Sequence, residues 1–285
     1  MPNGPEPVER DSRGILDPWL LRRRVHLTRY PAGPALSGLV DRFWAVRWDL
    51  PGEVVYRQEV LTHPGANLSV AVPDARSGAA PRSVEARLAG VARDLTTREM
   101  AGSGWAVAAM TTPGGLGAFL SGSAADLTDR VMPLGDAVDV DESVLLQRVE
   151  EARDEAARVA VLATALEAAV RPSREAEARQ VADVAEVAER DRSVRRLSDL
   201  SSRSGIAPRT LQRLFARNAG VSPTWVLRRY RLLEVAEAVR RGQVVSWAET
   251  AADLGYADQA HLNREFRVAT GRTPAAYALA QAPTA

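Results

Sequence analysis

The sequence predicts an α+β protein, β-rich over its N-terminal part and all-α over its C-terminal third, and three observations carry that prediction. The pattern Arg-x-Phe-x-x-x-x-Gly-x-[Ser/Thr]-Pro occurs twice near the C-terminus. Short apolar segments broken by Gly and Pro fill the first part of the chain. Between the two regions an apolar stripe at helical spacing runs from Val144 to Val170.

The duplicated pattern consists of Arg213, Phe215, Gly220, Ser222 and Pro223, then Arg264, Phe266, Gly271, Thr273 and Pro274, offset by 51 residues at every position. A repeat of period about 50 marks a duplicated supersecondary unit. Glycine just past an amphipathic helix suits the left-handed cap position, and Ser or Thr before Pro starts the next helix as cap and first residue. A second helix lies upstream of each copy. Leu197 and Leu200 precede Gly205 and Ile206, after which Pro208 opens a helix carrying Leu211, Leu214 and Phe215 on one face. In the second copy Ala251 and Leu254 precede Gly255 and Tyr256, followed by Leu262, Phe266 and Ala269. Helix, short Gly-containing turn, helix is the helix-turn-helix layout.

With those stripes inward, helical geometry turns Arg209, Gln212, Arg213 and Ala216 outward, and Ala260, Asn263, Arg264 and Arg267 in the second copy. Arginine pairs with guanine edges or phosphates, and Gln and Asn pair with adenine edges, so these faces suit a major groove. A solvated charged face explains either helix alone; two such faces in register favour recognition. Between the copies, Pro223 to about Arg241 alternates apolar residues (Val226, Leu227, Tyr230, Leu233, Val235, Ala236, Val239) with Arg228, Arg229, Arg231, Arg240 and Arg241. A helix of that length spans about 28 Å. That is close to the roughly 34 Å between successive major-groove faces of a duplex.

These residues resemble the AraC/XylS family of bacterial transcription regulators. The stretch Ala251 to Tyr277 is similar to the family's second helix-turn-helix signature, and Gly205 to Phe215 to its first recognition helix. The resemblance implies base reading by Arg209, Gln212 and Arg213, then by Gln259, His261, Asn263 and Arg264. Thr210, Arg217, Arg228 and Arg267 are expected nearer the DNA phosphates. Ala207 and Ala260 stand where the family usually has Ser, and Trp247 and Thr250 where it has aliphatics. Leu61 to Leu68, Thr112-Pro-Gly-Gly115 and Ala125 to Asp129 resemble a poorly characterised N-terminal domain of such regulators, with Met110, Thr111 and Thr112 where an Arg or Phe is usual before the Pro-Gly-Gly turn. Family members' N-terminal domains often sense ligands or dimerise. A small-molecule effector, RNA polymerase and a second copy of the chain are therefore the expected partners besides double-stranded DNA.

Charge agrees with this reading. All 37 basic residues are Arg, against 36 acids. Residues 193–285 hold 14 Arg and 7 acids, whereas residues 1–192 hold 23 and 29. A near-neutral chain thus has a basic C-terminal third, as a phosphate-contacting module requires. There is no cysteine, which excludes thiolate metal sites, thiol nucleophiles and a DNA-repair methyltransferase with an acceptor cysteine. The N-terminus, with Pro2, Gly4, Pro5 and Pro7 among charges, lacks the apolar core of a secretory signal, and no apolar run is long enough to span a membrane, so a cytoplasmic location is expected.

Apolar segments around Leu39 to Trp48, Leu68 to Val72, Leu88 to Ala92 and Trp105 to Met110 predict strands of a sheet or barrel. Two helical stretches follow, Glu142 to Val170 and about Arg174 to Glu189, the second opening the DNA-binding domain. Pro172 marks the boundary, giving a sensory or oligomerisation domain over 1–171 and a DNA-binding domain over 172–285. The fragment from about Ser173 is expected to fold and bind duplex alone, because both helix-turn-helix units lie within it. The Val144 to Val170 stripe is expected to pack on the β-region and to offer a face to a second protomer.

No enzyme, metal or cofactor is expected. His26 and His63 are too few for a metal-binding barrel, and Asp136, Asp139, Asp141 and Glu142 lack the spacing of a calcium loop, reading instead as an acidic lead-in to a helix. Trp44, Trp48 and Trp105 read as core. The alternatives are a ligand-binding or catalytic N-terminal domain merely localised to DNA, and a nucleoid-type binder without sequence preference. Gln212, Asn263 and Arg213 argue against the latter, which needs only phosphates and groove shape.

Overall fold

The computed structural model describes residues 14–16, 18–72, 84–240 and 246–281. The proline-bearing N-terminus and Arg241 lie outside the described residues. Among the described residues, a short helix α1 (Pro18–Arg24) is followed by eight strands: β1 (Val25–Pro31), β2 (Val40–Asp49), β3 (Val55–Val60), β4 (Asn67–Ala71), β5 (Glu85–Ala89), β6 (Thr96–Ala101), β7 (Ser103–Thr111) and β8 (Val131–Pro133). They form a six-stranded antiparallel sheet in the order β1-β2-β7-β4-β5-β8 and a two-stranded sheet β3-β6. Strands β2, β4 and β7 match the expected segments, whereas β5 starts three residues earlier than the expected Leu88 and ends at Ala89. The others escaped the apolar scan because their faces carry charge: β3 and β6, for example, pair Arg57 with Glu99 at 2.6 Å.

The stripe from Val144 to Val170 is two helices rather than one, α2 (Glu142–Glu151) and α3 (Glu155–Ala169). Asp154 ends the continuity: its carboxylate accepts the Ala157 N–H at 2.8 Å and restarts the helix as N-cap. Leu145, Val149, Val159, Leu162 and Leu166 are buried in one core with Phe43, Leu68 and Leu88 of the sheet, while Val144 and Ala156 are exposed. Most apolar residues of the stripe are thus covered within the chain, against the sheet as expected.

The remaining helices are α4 (Pro172–Arg190), α5 (Leu197–Ser204), α6 (Pro208–Ala219), α7 (Pro223–Arg240), α8 (Trp247–Asp253), α9 (Gln259–Thr270) and α10 (Pro274–Gln281). The fold is therefore α+β, β-rich first and helical after. Pro172 is the first residue of α4, where its fixed φ and missing N–H cost nothing.

Dividing the elements at 171/172 does not divide the packing. Leu16, Leu61 and Val91 share one core with Leu200, Phe215, Leu233 and Phe266, and the Tyr277 hydroxyl donates to the Leu16 carbonyl at 3.3 Å. The Thr112-Pro-Gly-Gly115 turn leads into a 3-10 turn (Gly115–Ala118) that docks on α4 and α6. Gly114 has φ 97°, and a Cβ there would lie 2.6 Å from Val181 Cγ1. At Gly117 a Cβ would meet Asn218 Oδ1 at 2.2 Å and its Cα at 2.8 Å. The Gly-rich turn is thus a close approach between the β-region and the first recognition helix. Ser123 and Thr128 add hydroxyl hydrogen bonds to the Ala216 and Gly220 carbonyls at 3.3 and 2.7 Å.

Two expected results follow from that junction. Gly117→Ala should cost about 1–3 kcal/mol, because neither backbone can retreat without breaking other contacts; urea unfolding of the full-length variant measures it, and an unchanged midpoint would contradict the close approach. The fragment from Ser173, expected above to be self-sufficient, leaves Ala178, Val181 and Asn218 without their cover. It should therefore unfold at lower urea than the helical part of the intact chain.

Candidate nucleic-acid interface

Each recognition helix is built by the same local devices. Helix α5 gives way to α6 through Gly205 at φ 68°, and α8 to α9 through Gly255 at φ 79°. Helices α6 and α9 end on Gly220 and Gly271 at φ 79° and 73°, left-handed positions that a side chain would strain. Ser222 and Thr273 then cap the next helices by accepting the Trp225 and Ala276 N–H groups, each at 3.2 Å. The duplicated pattern thus encodes helix, stop and restart, as its residues imply. Helix α6 has no side-chain N-cap at Ala207, whereas Asp258 caps α9 through the His261 N–H at 2.6 Å. The unusual Trp247 packs half-buried against the helical core, and Thr250 turns its hydroxyl back to the Ser246 carbonyl at 2.8 Å.

Inward faces are fully committed: Leu211, Phe215, Leu262 and Phe266 have no exposed surface, and Phe266 lies 5.8 Å from the Tyr277 ring. On the outward face of α6, Arg209, Gln212, Arg213 and Arg217 are exposed and Thr210 is half-buried, while Ala216 is partly covered. On α9, Gln259, Ala260, Arg264 and Arg267 are exposed, and Asn263 and His261 are half-buried. His261 meets Tyr256 edge-on at 5.3 Å and lies 3.9 Å from Glu265. Glu265 also holds Arg228 at 3.3 Å, and Glu177 stands 3.6 Å from Arg217. Of the arginines expected near phosphates, Arg217 and Arg228 thus each stand beside a carboxylate.

The arginines of α7 divide into two kinds. Arg228 is exposed, but Arg229 and Arg231 are 3% and 4% exposed. Arg231 ties α7 to the end of α4, donating to the Ala188, Asp191 and Val194 carbonyls at 3.2–3.3 Å and to Glu234 at 2.8 Å. Part of the basic surplus is consequently structural. Arg174, buried beside Arg217, has its pKa lowered by desolvation and then by that neighbour.

In the β-region, His26 is exposed and 3.1 Å from the Thr28 hydroxyl, and His63 is half-buried. Asp141 caps α2, Glu142 accepts the Gly135 N–H at 2.8 Å, and Asp139 lies 3.8 Å from Arg171. Hydrogen bonds from Ser143 and Val144 hold the Asp141 carboxyl below its usual range. Trp48 is buried, donating to the Ala101 carbonyl, whereas Trp44 is half-buried and Trp105 carries Arg158 over its ring at 4.1 Å. Among the described residues no group of three His, Asp or Glu is placed to hold a metal ion, and no helix is long and apolar enough to cross a membrane.

Two helix-turn-helix units with exposed Arg and Gln faces, joined by one long helix, define a paired helix-turn-helix DNA-binding domain. Residues 200–280 match a family model described as a helix-turn-helix domain, and residues 28–133 match a domain of unknown function (DUF6597). The helix-turn-helix domain matched over residues 200–280 is of the AraC type. Among solved structures, the chain is similar to the C-terminal domain of AraT, a response regulator from Geobacillus stearothermophilus, at 21% identity over 35% of this chain and 84% of that one, with a TM-score of 0.33. It is also similar to ToxT from Vibrio cholerae at 8% identity over 90% of this chain and 98% of that one, with a TM-score of 0.40. No curated protein matches the chain.

Proposed function

We propose that the protein regulates transcription in the cytoplasm by placing α6 and α9 in two consecutive major grooves of one duplex. Arg209, Gln212 and Arg213 read bases from the first helix, and Gln259, His261, Asn263 and Arg264 from the second. Thr210, Arg217, Arg228 and Arg267 hold phosphates. The observation that supports this reading is the pair of exposed polar faces on α6 and α9, two helices that follow one another through α7, an 18-residue helix about 27 Å long. Residues 1–171 act as the regulatory domain and 172–285 as the DNA-binding domain. The docking of the Gly114–Ala118 turn on α6 supports communication between them, since the two backbones meet without slack at Gly117 and Asn218. RNA polymerase is the output partner.

Footprinting on a selected site tests the reading: protection should cover about 20 base pairs on one face of the duplex. The phosphate contacts have their own signature. Arg217→Gln and Arg228→Gln should weaken every sequence alike and flatten the dependence of log affinity on log salt by about one unit each. A sequence-selective loss with an unchanged salt slope would remove these residues from the phosphate set.

A further inference from the structure

Beside the recognition face of α9 lies a groove of about 440 Å³ that base reading does not account for. Arg93, from the connection between β5 and β6, Arg228 and Arg229 of α7 and Arg264 of α9 supply its cationic lining, Glu265 of α9 its one carboxylate, and Trp225, Leu232 and Val268 its apolar wall. Arg229 is 3% exposed; its Nη2 donates to the Arg93 carbonyl, and its buried Nη1 has no hydrogen-bond partner. The guanidinium carbon sits 4.7 Å from the centroid of the Trp225 ring. Burial pulls the Arg229 pKa down to about 10, opposed by Asp94 and Asp129. The Arg93 guanidinium is engaged by Asp129 at 2.6 Å and Arg228 by Glu265. Arg264, exposed and in no ion pair among the described residues, is left to face an incoming charge.

A buried cation with an unused donor is costly unless something completes it, and the chemistry that completes a guanidinium best is an oxyanion. The volume is that of a small-molecule site, with an apolar lining and a few converging charges. A duplex presents its phosphates on a convex surface, whereas Arg229, 3% exposed beside Trp225, lines a concave groove sized for a small molecule.

We propose that this groove binds a small organic oxyanion, a carboxylate or phosphate monoester with an apolar body, its charge between Arg229 and Arg264 and its body on Trp225, Leu232 and Val268. The ligand touches the β-region, the connecting helix and the second recognition helix together. Its effect on DNA rests on the reading of Arg264 given above: an anion held by Arg264 competes with the duplex for that side chain.

Calorimetric titration of naphthoate, naphthyl phosphate and neutral naphthamide into the full-length, DNA-free protein tests the site. At least one anion should bind about tenfold more tightly than the amide, the difference a charge-assisted hydrogen bond provides. The preferred anion tells a carboxylate site from a phosphate-ester site. Arg229→Gln should weaken the anion about tenfold. Val268→Glu, on an exposed position that leaves the core untouched, should weaken it by repulsion and keeps the test decisive if the first variant does not fold. Equal binding of amide and anions, indifference to Val268→Glu, or no anion binding at millimolar concentration would overturn the site. Adding the bound anion to the protein on its selected duplex should then lower DNA affinity; an anion that binds without doing so leaves the site standing and overturns the competition at Arg264.

Discussion

Phe215→Ala and Phe266→Ala should each destabilise the protein by about 3–5 kcal/mol, the cost of emptying a fully enclosed aromatic site. Both rings have no exposed surface and belong to one core that spans both helix-turn-helix units and reaches Leu16 and Leu61. The loss is a large fraction of the total stability of a domain, about 5–15 kcal/mol. DNA binding should fall for all sequences in step with the unfolded fraction, and it should recover where the folded population is restored. Urea unfolding followed by circular dichroism, alongside gel-shift titrations, measures both quantities. A variant that keeps the wild-type midpoint would mean that the Phe face is not the packing face, and the outward assignment of Arg213 and Arg264 would fall with it.

Arg213→Ala and Arg264→Ala should behave oppositely. These side chains are exposed and neither takes part in an ion pair among the described residues, so the urea midpoint should stay within the range of ordinary surface changes. Affinity for the cognate duplex should drop by about 1–3 kcal/mol, while affinity for random sequence falls far less. Each variant should relax the preference at its own operator position, the two positions lying about one helical turn apart. Equal losses on cognate and random duplex would show these arginines to be phosphate contacts.

The contrast between the two sets of residues explains what was legible in the sequence. Phe215, Gly220, Ser222 and Pro223, and their counterparts 51 residues later, act within a few residues of themselves, through helix faces, left-handed caps and N-caps. Local rules read such residues directly. Arg229 and Arg231 defeated that reading because what buries them is remote: the β5–β6 connection covers one, and the end of α4 binds the other. From sequence alone they are two more cations on a basic helix. Similarly, the Pro-Gly-Gly turn was visible as a motif, but its role as the close approach to Val181 and Asn218 depends on elements far along the chain. The break at Asp154 was locally encoded, since an Asp followed by Glu is an N-terminal helix signal, yet the continuous apolar spacing on either side masked it. In the interface, exposure agrees with the outward assignment of Arg209, Gln212, Arg213 and Arg264, while His261 and Asn263 are more enclosed than a face count suggests.

The most direct measurement of the central claim is selection of bound duplexes from a random pool by the full-length protein, followed by sequencing. Two helices reading successive grooves of one duplex predict a bipartite motif with two conserved elements about 10 base pairs apart, centre to centre. The element relaxed by Arg213→Ala should differ from the one relaxed by Arg264→Ala. A motif with a single element, or a pool that shows no preference although the protein is folded, would contradict simultaneous reading by α6 and α9.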